Sequence, residues 1–170
     1  DHEPEESFIR RVGNDVEKGQ MICDAGDRLT PLTLGSLASA GVCCIEVVRK
    51  VRVGIFSSGD ELRDTGTPPE ALALGQIYDS NAFTLANLLQ HLPVDLVPLQ
   101  RLPDDEEAVE KALADAAERC DMLITSGGVS VGDADFIGAT IARLGQLTFW
   151  RLNLKPGKPL AFGSIGECWV

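Results

Sequence analysis

The chain has 170 residues, 44% of them hydrophobic, and a formal net charge of −11 at pH 7. That length can bury one good core and a small satellite module. The acidic balance argues against nucleic acid as a partner, and no apolar run approaches the ~20 residues of a membrane span. The acidic start is unlike a signal peptide, and a chain that opens on Asp1 reads as a piece of a longer protein. The five cysteines, Cys23, Cys43, Cys44, Cys120 and Cys168, form no C-x-x-C pair, and with two isolated histidines they give no zinc pattern. Their odd count favours reduced thiols in a cytoplasm. A small anionic ligand stays open, because local dipoles and a few lysines can dominate one cleft.

Residues 1–50 read as a β-rich module of short apolar stretches and turns. Within it Thr30-Pro31 caps a short helix over 32–39 that Gly41 stops, and 42–48 reads as a strand. From residue 51 strands and helices alternate. Strands are expected at 51–56, 94–99, 122–125, 147–153 and 160–163. Ser80 is placed to cap a helix to about His91, with Phe83, Ala86 and Leu89 along one face. The acids after Pro103 start the next helix, which buries Val109, Leu113 and Ala116 and sets Glu107–Lys111 and Asp115–Arg119 at i,i+4 spacing. A last helix covers about 135–144.

Such alternation predicts an α/β fold: a three-layer α/β/α sandwich with a mostly parallel sheet over 51–170. Right-handed crossovers put the C-terminal ends of parallel strands on one edge, where ligands bind. Glu61, Asp104 and the Gly127-Gly128 loop each follow a strand, and Asp135 sits a turn beyond the glycines. They should face one cleft.

The stretch Ser126-Gly-Gly-Val-Ser-Val-Gly-Asp-Ala-Asp135 suits an anion. Glycines let the backbone approach a ligand, and successive N–H groups beside a helix start attract negative charge. Ser126 and Ser130 add donors, and Lys155 and Lys158 follow downstream. The same glycine pair would also serve a plain strand-to-helix turn. Asp135 has a second reading as a helix N-cap, and Asp104 a stronger one, since Glu107 follows at capping-box spacing. Asp60 and Glu61 are either solvated turn acids or ligand contacts on a strand exit. Arg151 and Lys155, four apart in an extended segment, share a face. Tyr78 and Trp150 read as packing residues. The loop is neither a Walker A nor a dinucleotide fingerprint.

The loop of 126–135, with Leu154-Lys-Pro-Gly-Lys-Pro159, Phe56-Ser-Ser-Gly-Asp-Glu-Leu62 and Gly75-Gln-Ile-Tyr-Asp-Ser-Asn81, resembles the molybdopterin-binding domain of the MoeA/gephyrin E-domain family. Four motifs in order are more specific than one glycine loop, and Ile9-Arg10-Arg11 and Gly13-Asn14-Asp15 extend the resemblance through the first 50 residues. It implies a molybdopterin-binding α/β domain over 51–170, cut short at its C-terminus, and a linker and dimerisation module over 1–50.

The implied activity is that of a molybdopterin molybdenumtransferase, which takes adenylylated molybdopterin and molybdate, uses Mg2+ and releases AMP. Asp135, Asp104, Glu61 and Lys155 are then the catalytic candidates. Ser126, Gly127, Gly128, Ser130, Arg151, Lys155 and Lys158 are the substrate-binding ones, and Asp135 with Glu61 the metal ligands. The family often has Lys at the position of Arg151. The same resemblance implies a cytoplasmic homodimer, with molybdopterin adenylyltransferase as a candidate partner. A molybdopterin adenylyltransferase or a related nucleotide-processing enzyme of the same fold, or a gephyrin-like scaffold or binding module, is the alternative.

Overall fold

The computed structural model describes residues 9–102, 104–127, 136–151 and 159–170. The chain divides into two compact units, residues 1–48 and 49–170.

In the first unit α1 (Pro31–Ser39) forms as its sequence dictates. The Thr30 hydroxyl accepts from the Thr33 N–H at 3.2 Å and Pro31 occupies the first turn. Gly41, at φ +81°, ends it with its N–H on the Ala38 carbonyl. The expected β-rich character is absent: among the described residues 9–50 there is no strand, and 42–48 makes no ladder. Its β-branched composition supplies propensity, but a strand exists only against a partner. Val47 and Val48 stay exposed instead.

The second unit is built on a six-stranded sheet of order β4-β1-β5-β8-β7-β6. Its strands are β1 (Val51–Ser57), β4 (Val94–Val97), β5 (Met122–Ser126), β6 (Gln146–Arg151), β7 (Pro159–Ile165) and β8 (Cys168–Trp169). β1 pairs in parallel with β4 and β5, and β5 with β8. β7 alone runs against its neighbours. β2 (Leu62–Arg63) and β3 (Ile77–Tyr78) form a separate parallel pair. β8 is too short to leave a periodic signal in the sequence.

Helices cover both faces. On β1, Phe56 belongs to the core shared with α3 (Glu106–Arg119) and α4 (Phe136–Leu144), which bury Val109, Leu113, Ala116, Ile137 and Ile141. Ile55, its neighbour, projects to the other face by strand alternation, where α2 (Ser80–Leu89) packs on β1. The stripe that α2 turns inward is Ala82, Leu85, Ala86 and Leu89, each half-buried, while Phe83 is 62% exposed. The observed stripe is thus offset from the expected face, which had Phe83 on it.

Two caps differ from expectation. Asp79, not Ser80, caps α2, its carboxylate accepting from the Ala82 N–H at 3.0 Å. Asp105, not Asp104, caps α3, accepting from the Ala108 N–H at 2.8 Å. In both places two adjacent polar residues compete, and the one with extended or non-helical backbone wins the cap. The ion pairs of α3 also differ. Glu106 and Glu110 both reach Arg143 on α4, whereas the expected Glu107–Lys111 and Asp115–Arg119 pairs do not close. A partner on a packed neighbouring helix is held in place, while an exposed i,i+4 pair gains little.

Candidate functional site

The C-terminal ends of the parallel strands gather three loops. Ser57 and Ser126 are register partners on β1 and β5, and the Ser58 N–H donates to the Ser126 carbonyl at 3.1 Å. Past Val97 the chain leaves the ladder and returns. The Leu102 N–H donates to the Ser57 carbonyl at 2.9 Å, and Leu102 bridges in parallel to Ser58. Leu102 is buried, anchoring the segment from which Asp104 follows. The exits of β1, β4 and β5 therefore meet, as right-handed parallel topology requires.

Gly127 closes this junction. It takes φ +96°, and a Cβ built on it would lie 2.8 Å from the Ser58 carbonyl oxygen. Only glycine suits such a backbone approach.

The β1 exit loop carries Glu61. Gly59 sits at φ +140°, and a Cβ there would fall 2.6 Å from Glu61 Oε2, so the carboxylate is folded back beside the glycine. The loop's backbone is pinned from several sides. The Leu62 N–H donates to the Gly59 carbonyl at 3.1 Å, and the Ile77 N–H to the Glu61 carbonyl at 2.9 Å. Arg63 donates to the Asp60 carbonyl at 2.8 Å and to its neighbour Leu62's at 2.6 Å. Arg101 donates to the Leu62 carbonyl at 2.6 Å and to Asp64 at 2.7 Å. These arginines carry no sequence signal, because their main acceptors are backbone carbonyls and Arg101 stands 39 residues from Leu62.

The segment 75–81 does structural work beside this loop. Gly75 takes φ +86°, the Gln76 side chain accepts from the Ala73 N–H, and the Tyr78 hydroxyl donates to the Thr67 carbonyl. Tyr78 is a packing and anchoring residue, as expected.

Glu61, Asp104, Ser126 and Gly127 thus belong to one edge of the sheet. Glu61 and Asp104 are exposed, and among the described residues nothing hydrogen-bonds or pairs with either carboxylate. With Asp105 as the cap, Asp104 is released from the competing role its sequence suggested. Gly128, Ser130, Asp135, Lys155 and Lys158 lie outside the described residues, and for Arg151 the backbone alone is described, paired with Pro159 across β6 and β7. Carboxylate oxygens suit a hard cation such as Mg2+. Among the described residues no three acids, histidines or cysteines converge on a metal position. An apolar hollow of about 260 Å3 between α2 and the β1–β4 pair, lined by Ile55, Ala82, Ala86, Leu96, Val97 and Leu99, bears no polar side chain.

At its other end β5 is clamped. Asp121 accepts from Arg49 at 2.7 Å, from the Arg52 guanidinium at 2.9 Å and from the Arg52 N–H at 2.7 Å. These hydrogen bonds hold its carboxyl well below the usual carboxylate range and raise both arginines. Burial pushes the thiols up, Cys168 to about 11, with Cys120 raised as well.

Residues 54–168 match the family model described as "Probable molybdopterin binding domain". This chain belongs to that family. It is 47% identical over 161 residues to the molybdopterin molybdenumtransferase of Haemophilus influenzae, covering 95% of this chain and 39% of that one. It is 34% identical to gephyrin of Dictyostelium discoideum, over 92% of this chain and 23% of that protein. The molybdopterin biosynthesis moea protein from Pyrococcus horikosii superposes with a TM-score of 0.78 at 29% identity, covering 92% of this chain and 39% of its own. The chain thus spans about two-fifths or less of the length of these relatives. Among the described residues of this family member, no helix is long and apolar enough to cross a membrane.

Proposed function

We propose that this chain is the molybdopterin-binding part of a molybdopterin molybdenumtransferase, which joins molybdate to adenylylated molybdopterin and releases AMP. The observation that carries the reading is the junction of two motifs, the Ser57–Glu61 exit of β1 lying against Ser126–Gly127 of β5. The 47% identity to a curated transferase, extending over 95% of this chain, favours that reading over an adenylyltransferase confined to the α/β domain.

Ser126 and the Gly127-Gly128 backbone, with Ser130, hold a phosphate of the substrate. Arg151, Lys155 and Lys158 balance the charge of the phosphoanhydride and of molybdate. Glu61 and Asp135 are the oxygen donors for Mg2+, with Asp104 as a further catalytic acid. When bound, the cation supplies electrostatic polarisation of the phosphoanhydride. Lys155 neutralises negative charge that develops on oxygen as that bond breaks.

Residues 1–50 serve as linker and dimerisation module of a cytoplasmic homodimer. The exposure of Val12, Met21 and Leu32 supports this. Molybdopterin adenylyltransferase is the partner that supplies the adenylylated substrate.

Calorimetry with AMP or molybdopterin tests the reading. Gly128→Val adds a branched side chain to the glycine pair and weakens binding more than tenfold, about 1.4 kcal/mol. Unchanged affinity with an unchanged circular dichroism spectrum would refute it.

A further inference from the structure

Resting on that reading, we propose that Arg101 is a positioning residue of the site, fixing the loop that carries Glu61 to the segment that carries Asp104. Among the described residues no hydrogen bond or ion pair holds the Glu61 carboxylate, so its place is set by its backbone. Gly59, at φ +140°, makes that backbone permissive.

Two consecutive residues oppose the freedom of Gly59. The Leu102 N–H grips the Ser57 carbonyl at the start of the loop. The Arg101 guanidinium grips the Leu62 carbonyl, one residue beyond Glu61, at 2.6 Å, and Asp64 at 2.7 Å. The loop is thereby held at both ends by one short piece of chain, and Asp104 follows on that same piece. The Arg101 side chain is 27% exposed while that of Asp64 is 88% exposed, so the sheltered bond to the Leu62 carbonyl is the stronger constraint. Arginine suits this role because its planar fork reaches two acceptors at once, which a lysine ammonium does without fixed geometry. Arg63 also donates to the Leu62 carbonyl, but it belongs to the same loop and moves with it. Of the two, only Arg101 ties the loop to another strand's exit. Its expected consequence is selective. The relative placement of the two carboxylates depends on Arg101, while the phosphate cradle around Gly127 depends on β1–β5 pairing.

The test uses this chain with Mn2+ as the metal probe, read by paramagnetic resonance, and AMP as the phosphate probe, read by calorimetry. Arg101→Ala weakens Mn2+ binding about tenfold, the lower end for groups that orient metal ligands, and leaves AMP affinity within about twofold. Arg101→Lys recovers part of the loss. Adding Glu61→Gln to Arg101→Ala weakens Mn2+ no further than Glu61→Gln alone, since both act through one group. Amide exchange quickens at Leu62 and Ile77 and is unchanged at Leu123–Thr125. If Glu61→Gln removes the Mn2+ site and Arg101→Ala leaves it intact, this proposal alone is overturned. The same holds if Arg101→Ala costs AMP and Mn2+ equally and speeds exchange throughout the sheet. If the unmodified chain has no Mn2+ site that Glu61→Gln removes, the magnesium assignment falls and the role of Arg101 with it.

Discussion

Replacing Gly127 by alanine brings two separable penalties to one position. The first is conformational: φ is +96°, and left-handed backbone costs a residue with a Cβ about 1–2 kcal/mol. The second is steric: the new methyl would sit 2.8 Å from the Ser58 carbonyl oxygen, and forcing a packed junction apart costs about 1–3 kcal/mol. Together they predict a loss of about 2–5 kcal/mol. Gly166→Ala isolates the first penalty, because Gly166 takes φ +58° with no heavy atom within 4 Å of its ideal Cβ. Urea unfolding of both variants, followed by circular dichroism, then yields the contact contribution as their difference. AMP titration of Gly127→Ala should show weakened binding in parallel, as the displaced carbonyl opens the cradle. The reasoning is refuted if the two variants fall within about 0.5 kcal/mol of each other, the usual scatter of uncomplicated surface changes.

Asp105→Ala removes the α3 cap and lowers unfolding free energy by about 1 kcal/mol, whereas Asp104→Ala leaves stability unchanged and weakens Mn2+ binding; the reverse assignment would restore Asp104 as the cap. Asp121 is held below its ordinary 3.8 by Arg49 and Arg52, so its contribution is present above about pH 4 and lost as the pH falls further. The urea midpoint should accordingly decline on acidification, and less steeply in Asp121→Asn; parallel declines would exclude the clamp as the cause. Iodoacetamide at about pH 8 should label the exposed Cys43 and Cys44 well before the buried Cys120 and Cys168, with equal rates by mass spectrometry refuting the packing. Because burial raises the Cys168 thiol from 9.0 to about 11, its share of stability is intact below pH 9.0 and fades as the pH rises towards 11.

The second unit is legible in the sequence because its signals are local and repeated. Val109, Leu113 and Ala116 recur at helical spacing and are all buried, and the strand at 51–56 extends only to Ser57. That the segments leading to Glu61, Asp104 and Gly127 leave one edge follows from topology, since parallel strands expose their exits there. What escapes depends on distant partners. The strand expected at 42–48 finds no ladder among the described residues. Arg49 and Arg52 stand 72 and 69 residues from Asp121, too far for any periodicity to join them. Asp104 against Asp105 is a choice between neighbours of equal chemistry, settled by backbone angles that composition does not encode. The grip of Arg101 on a carbonyl is invisible for a simpler reason: every residue has one.

The strand order also bears on how the protein assembles in time. β6 and β7 join residues close in sequence, and such local pairs close early. β1 and β5, by contrast, enclose α2, β4 and α3 between them, so their pairing must wait for a long loop to close against its entropy. The seat of Gly127 on Ser58 exists only after that closure. This edge of the sheet is therefore among the last features a newly made chain acquires, and on the proposed reading capture of AMP during refolding should track the slowest β-pairing phase.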